Sequence, residues 1–148
     1  MQLRVLLALA LLSPAPAAAC SLAVSTPGIL GLSGDGTQLA SDSGAGVAAI
    51  VSISGLGALL GTDITVSPPA LQSAPAGFST SGLTYESRFT ATWLVVNTLT
   101  RPYSTTDQTF HVPTLGALAL ALTLHNRVTA GGGFKAGSYS TRTVITCS

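Results

Sequence analysis

The segment from Leu83 to Leu99 reads LTYESRFTATWLVVNTL and is the longest strand-like stretch of this 148-residue chain. One parity is apolar and consists of Tyr85, Phe89, Ala91, Trp93 and Val95. The other parity begins with the polar residues Arg88, Thr90 and Thr92, and Leu94 and Val96 join it further on. Successive side chains of a strand point to opposite faces, so the apolar set is predicted to face a core. A bend near Glu86–Ser87, which would divide the segment into two strands, is the alternative.

A leucine ladder forms the most apolar stretch of the remaining chain, within residues Leu115 to Leu124. Leucines at 118, 120, 122 and 124 alternate with Ala119, Ala121 and Thr123. Leucine and alanine both favour helices. The strict alternation favours a strand, and the neighbouring strand candidates support it. A strand is therefore predicted, with a helix as the competing interpretation.

Turn signals divide the rest of the chain into shorter segments. Strands are predicted over Ser21–Thr26, Ile29–Leu32, Gly46–Ser54, Asp63–Ser67, Gln108–Val112 and Gly137–Cys147. Loops are predicted over Leu71–Gly82 and Thr100–Asp107. About seven strands with turns near every tenth residue, and no capped helical stretch, are typical of an all-β antiparallel sandwich.

The first nineteen residues have the pattern of a secretion signal. Arg4 supplies a positive charge, an apolar run extends from Val5 to Leu12, and Ala17–Ala19 forms a small-residue cleavage site. Residues 1–19 are therefore predicted to be removed, which leaves residues 20–148 as one exported domain.

Two cysteines, Cys20 and Cys147, are the only thiols of the chain. In an oxidising compartment we expect them to form a disulfide that places the first and last strands side by side. The alternative is a lipoprotein with acyl chains on Cys20. Bacterial lipoprotein signals usually have leucine three residues before the cysteine, whereas this chain has Ala17, so the disulfide is favoured.

Charged residues make up only 7% of the chain, against about 25% in average domains. Without Arg4, the remaining five basic side chains balance five acidic ones. No basic run is present, which argues against nucleic acid as a partner. The ladder spans about half the length of a membrane-crossing helix, so no transmembrane segment is expected after the signal. A nearly neutral surface with few charges favours self-association.

Residue patterns that carry chemistry are sparse in this sequence. His111 and His125 have no second metal ligand at short spacing, so no metal site and no cofactor are predicted. No Gly-x-Ser-x-Gly elbow is present, and Asp35 and Asp42 lie in Gly/Ser loops that use aspartate for turn hydrogen bonds. The chain is therefore predicted to have no catalytic residues and to be non-enzymatic.

Aromatic residues offer one possible binding surface. Trp93, the single tryptophan, is interpreted first as a core residue of the sandwich. The alternative interpretation makes Trp93 or Tyr103 the platform of a small-ligand or carbohydrate-binding module, which is a different class of function.

The C-terminal stretch Phe134–Cys147, FKAGSYSTRTVITC, resembles the last hairpin of bacterial spore coat protein U-type and related pilin-like domains. These domains often close with an aromatic residue, a Gly-x-Tyr and alternating Thr and Val. The signal followed by Cys, Ser and a Leu-x-Val strand is similar as well. The resemblance covers about a third of the chain. It implies an immunoglobulin-like β-sandwich secreted by a bacterium, whose relatives build fimbriae through a chaperone and an outer-membrane usher and serve attachment and biofilm.

The position of Cys20 departs from the pattern of a repeating pilus subunit. Such a subunit donates an N-terminal extension to its neighbour, and cleavage after Ala19 leaves nothing before Cys20 to donate. The resemblance therefore implies a cap, a tip or a self-complete monomer. The expected function is a surface or periplasmic protein of bacterial type that acts in assembly or adhesion. Its protein partners would include an assembly chaperone, and its contacts would use sheet edges, threonine-rich faces and the loop near Gly55–Gly61.

Overall fold

The computed structural model describes residues 20–56, 61–94, 97–113 and 119–148. The predicted signal, most of the Gly55–Gly61 loop, Val95 and Val96, and residues 115–118 of the ladder lie outside these ranges. Within them the chain forms β-strands and no helix. The strands are β1 (Ser21–Thr26), β2 (Gly31–Leu32), β3 (Gln38–Ala40), β4 (Ala49–Ser54), β5 (Thr62–Val66), β6 (Ala70–Ser73), β7 (Leu83–Trp93), β8 (Asn97–Ser104), β9 (Gln108–Val112), β10 (Ala119–Ala130), β11 (Ser140–Arg142) and β12 (Ile145–Cys147).

The largest sheet has seven strands and is built around β10. On one side β10 pairs with β7 over the whole register from Leu120↔Trp93 to Ala130↔Leu83. On the other side its first half pairs with β4 and its second half with β3. β1 then extends the sheet beyond β4, β2 extends it beyond β3, and β8 extends it beyond β7. All of these pairings are antiparallel.

A second sheet has the order β12-β5-β9 and packs against the first. The Phe89 ring on β7 lies 5.3 Å from the Phe110 ring on β9, so the two inner faces meet there. The core contains these rings and the aliphatic side chains that line both sheets, among them Val51, Ile53, Ile64, Val66, Val112, Leu120, Leu122 and Leu124. A short third sheet pairs β11 with β6. The predicted all-β antiparallel sandwich is confirmed.

In β7 and β10, the apolar side chains of the alternating pattern face the core, as predicted. Phe89 and Ala91 are buried on the core face of β7, and Leu120, Leu122 and Leu124 are buried on the core face of β10. Strand pairing on both sides of β10 outweighs the helix propensity of leucine and alanine, because each leucine reaches the core only in the extended conformation. The helix alternative is wrong for the described part of the ladder.

The boundary between β7 and β8 lies elsewhere than predicted. β7 runs without interruption through Glu86–Ser87, and the chain turns after Trp93, where Leu94 adopts a left-handed φ of 56°. The prediction of a loop over Thr100–Asp107 is wrong for its first half, because β8 continues to Ser104. Pro102 is tolerated there because it lies at a shift in the β7–β8 register on an edge strand.

Three further strand predictions need correction. β6 overlaps the first three residues of the segment that was predicted to be a loop from Leu71 to Gly82, and β3 was not predicted at all. The predicted strand Gly137–Cys147 divides at Thr143–Val144 into β11 and β12, which belong to different sheets. The described residues therefore contain twelve strands instead of about seven. No helix in these ranges is long and apolar enough to cross a membrane.

Candidate functional site

A disulfide joins the two main sheets at one side of the sandwich. Cys20 directly precedes β1, Cys147 lies in β12, and their Cα atoms are 6.1 Å apart. The predicted pairing is confirmed. A structural disulfide of this kind persists in an oxidising compartment.

The strands beside this disulfide are both sheet edges. Among the described residues, β1 pairs only with β4, and β12 pairs only with β5. Each strand therefore offers one row of unpaired backbone N–H and C=O groups, as edge strands do. The disulfide holds the two strands together at one end, and a groove opens between β1 and the segment that leads into β12.

The groove has a volume of about 490 Å³ and is mainly apolar. Its floor is the inner face of the first sheet at Ala49, Val51 and Leu124. One wall is β1, and the other is formed by residues 141–145, which run from the end of β11 to the start of β12. Val24 on the first wall is 64% exposed and Val144 on the second is 45% exposed, so apolar side chains line the open mouth.

The second wall is fixed by hydrogen bonds that Thr143 and Val144 make with neighbouring segments. The Thr143 hydroxyl donates to Oδ1 of Asn126 on β10, at 3.1 Å. The Ser67 backbone N–H donates to the Val144 carbonyl, at 3.0 Å. These bonds hold residues 143–144 away from β1 and keep the groove open.

Arg142 is the one charged residue in the groove lining, and none of the ion pairs among the described residues includes it. Apolar walls and unpaired strand edges together suit an extended peptide segment. Its backbone would pair with an edge and its alternate side chains would enter the groove.

Trp93 and Tyr103 lie on opposite faces of the first sheet. Trp93 has the parity of Phe89 and Ala91, is half-buried, and its ring stacks 6.4 Å from that of Phe110. It packs against the core, as the first interpretation of the sequence expected. Tyr103 is on the outward face, so the structure does not bring the two aromatic residues into one surface.

Tyr103 lies in a compact charged cluster on the outward face. The guanidinium carbons of Arg127 and Arg88 lie 3.9 and 5.2 Å from the centre of its ring. Arg127 pairs with Glu86 at 2.8 Å, and Arg88 pairs with Asp42 at 3.2 Å. Burial, with a smaller contribution from Asp42, raises the pKa of Tyr103 to about 12. Sequence reasoning missed this cluster, although Glu86 and Arg88 share the outward parity of β7.

The two histidines make separate contacts. Nδ1 of His125 is 3.3 Å from the Ser41 hydroxyl, which also accepts the Asn126 backbone N–H at 3.0 Å. Burial and the charge of Arg88 lower the pKa of His125. Nδ1 of His111 is 2.7 Å from Oδ1 of Asp63 on the neighbouring strand. Within the described ranges, no three residues of metal-ligand type come together.

Comparison of the chain with protein-family models, with curated proteins and with solved structures finds no match.

Proposed function

We propose that this chain is an exported, non-enzymatic bacterial protein of the periplasm or cell surface that acts in surface assembly or adhesion. In this proposal it belongs with the pilin-like and spore coat U-type domains that its C-terminal hairpin resembles, and its sandwich is of the immunoglobulin-like type. The observation that carries the proposal is the groove between the edge strand β1 and residues 141–145.

The chemistry of the groove supports a protein partner over a small molecule. The β1 rim carries unpaired backbone groups, and a strand-shaped partner would satisfy them along its length. The exposed valines at positions 24 and 144 would be removed from water by such a partner, at roughly 25 cal/mol for each Å² of apolar surface covered. An extended segment of an assembly chaperone or of a neighbouring surface protein fits this description.

Export is supported by two independent features. The disulfide suits an oxidising compartment, and residues 1–19 have the composition of a secretion signal. The low charge of the remaining chain supports a role in association, because little electrostatic repulsion opposes contact between surfaces.

Site-specific photo-crosslinking in intact cells tests the proposal. The full chain, with its own residues 1–19, is produced in a Gram-negative host that carries a photoreactive phenylalanine analogue at Val144, on the rim of the groove. Envelope fractions from irradiated cells should contain protein adducts of the chain, because any partner in the groove lies against this position.

Thr109 supplies the matched control, since it is exposed on β9, on the far side of the second sheet from the groove. The same analogue at Thr109 should give few adducts. Equal labelling from both positions, or no protein adduct from Val144, would contradict the proposed role.

A further inference from the structure

β1 differs from the other long edge strands of the described chain because no charged residue, histidine or proline protects it against pairing. Natural edge strands carry charges, prolines or bulges that prevent contact with another sheet. β8 contains Arg101, Pro102 and a shift in register, and β9 contains His111. β1 has the sequence SLAVST, without a charge, a histidine or a proline. Its register shifts only at its end, between Val24 and Thr26.

Exposed apolar side chains concentrate on the same side of the sandwich. Eight large apolar residues of the described chain are exposed, and six belong to β1, to the neighbouring β2 region or to the groove wall. They are Leu22, Val24, Ile29, Leu32, Val47 and Val144. An apolar rim of this kind marks an interaction surface.

We infer that the partner at β1 is a second copy of this chain, and that the two β1 strands pair antiparallel across a two-fold axis through Ala23. This inference depends on the proposed function, since it names the partner that covers the groove. The two seven-stranded sheets would join into one continuous sheet, and the two grooves would face each other across the axis.

The register follows from the faces of β1. Residues that oppose each other across a two-fold axis normal to the sheet share a face, so Leu22 opposes Val24 of the partner on the core side. Ala23 opposes the partner's Ala23 on the outward side, since Ala23 pairs with the outward Ser52. The Leu22–Val24 contacts are then between two apolar side chains, and the Ala23–Ala23 contact is between two small ones. Cross-strand pairs of this kind are favourable.

Charge also favours a second copy. β1 brings no charge to the axis, so the pairing of the two β1 strands opposes no like charges. Residues 20–148 contain five basic and five acidic side chains, so two copies approach without net repulsion. Isologous contacts of this kind are the commonest way in which identical chains associate.

Cysteine crosslinking of the purified, disulfide-intact protein tests the inference. In the proposed pair, the Cβ atoms of opposed residues at position 23 lie about 4.5–5.5 Å apart, which is close to disulfide distance. Under mild oxidation, the Ala23→Cys protein should form a covalent dimer at least about tenfold faster than the Ala121→Cys protein, because pairing raises the effective thiol concentration. Ala121 is a matched control, as it is exposed on the same outward face but on the central strand β10.

Two further measurements test the inference without relying on the Ala23→Cys protein alone. Adding Val24→Lys to the Ala23→Cys protein should reduce dimer formation to the control rate, because a lysine blocks pairing at an edge. In the unsubstituted protein, amide exchange at Ala23 and its neighbours in β1 should slow as concentration rises, while exchange in β8 stays constant. Equal crosslinking rates for the two cysteine proteins, or exchange in β1 that does not depend on concentration, would overturn the inference.

The two proposals fail in different ways. If the crosslinker at Val144 captures a different protein while Ala23→Cys forms no dimer, the assembly role stands and the second copy is excluded. If neither experiment gives an adduct, both proposals are wrong.

Discussion

A single carboxylate, that of Asp35, organises the turn between β2 and β3. It accepts hydrogen bonds from the Ser33 hydroxyl at 2.5 Å, from the Thr37 backbone N–H at 3.1 Å and from the Thr37 hydroxyl at 2.9 Å. These bonds, that of Ser33 above all, lower the pKa of Asp35 to about 2. The folded turn therefore stabilises the charged form of the Asp35 side chain.

The Ser33→Ala protein should have an Asp35 pKa closer to the ordinary value of about 3.9, because the strongest of these bonds is lost. The pKa of Asp35 is lower in the folded chain than in the unfolded one. Its contribution to stability is thus complete above pH 4 and is lost as the pH falls through about 2. An NMR titration of the carboxyl carbon measures the shift.

Ser79→Ala serves as the control for this titration, because the Ser79 hydroxyl accepts a bond only within its own loop, from the Ser81 backbone N–H. It should leave the pKa of Asp35 where it is. An unchanged Asp35 titration in the Ser33→Ala protein would show that the hydroxyl does not hold the carboxylate.

At the scale of elements, Gly31 allows β2 to pack against the turn that leads into β4. A Cβ atom on Gly31 would overlap the Ser43 carbonyl oxygen and lie 2.6 Å from the Gly46 backbone nitrogen. The Gly31→Ala protein should lose about 1–3 kcal/mol of unfolding free energy, since backbone atoms cannot move aside as a side chain can.

Gly34, in the next turn, has nothing within 4 Å of its added Cβ. Urea unfolding of the Gly34→Ala protein should therefore stay within about 0.5 kcal/mol of the unsubstituted protein, and equal losses in the two proteins would contradict this account.

The strands with a clear alternation could be predicted from sequence, and the others could not. Phe89 and Leu122 lie in strands that bury one face along most of their length. Apolar and polar residues therefore alternate regularly in these segments. β8 contains Pro102 and many polar residues because it is an edge with one exposed row of backbone groups. β3 and β6 have three and four residues, too few to show a period.

The groove was beyond the reach of sequence reasoning for a different reason. Its walls are β1, which has no second pairing partner among the described residues, and residues 141–145, and the sequence of one strand gives no sign of what lies beside it. The disulfide could be predicted because only two cysteines exist. The Tyr103 cluster required the register between β7, β8 and β10, which brings Arg88 and Arg127 to one ring.

At the scale of the whole molecule, the disulfide closes a loop with a sequence separation of 127 residues. Replacing both cysteines, as Cys20→Ala with Cys147→Ala, should lower the unfolding free energy by about 2–5 kcal/mol, because the unfolded chain gains freedom. Urea unfolding with and without a reductant measures this. Reduction should shift the midpoint of the unsubstituted protein toward that of the double variant and leave the double variant unchanged. A shared midpoint under oxidising conditions would show that the bridge adds nothing to stability.

The bridge between Cys20 and Cys147 also has a mechanical consequence. A tensile load applied across the two ends of the domain passes through the sulfur–sulfur bond and bypasses the strands, so the load does not unravel the sheets. An oxidised domain placed in a chain under tension would behave as a short, inextensible link. After reduction, the same residues could extend to roughly 3.3 Å each, more than 400 Å in total. Whether the two cysteines are oxidised or reduced therefore decides whether this protein transmits force or extends under it.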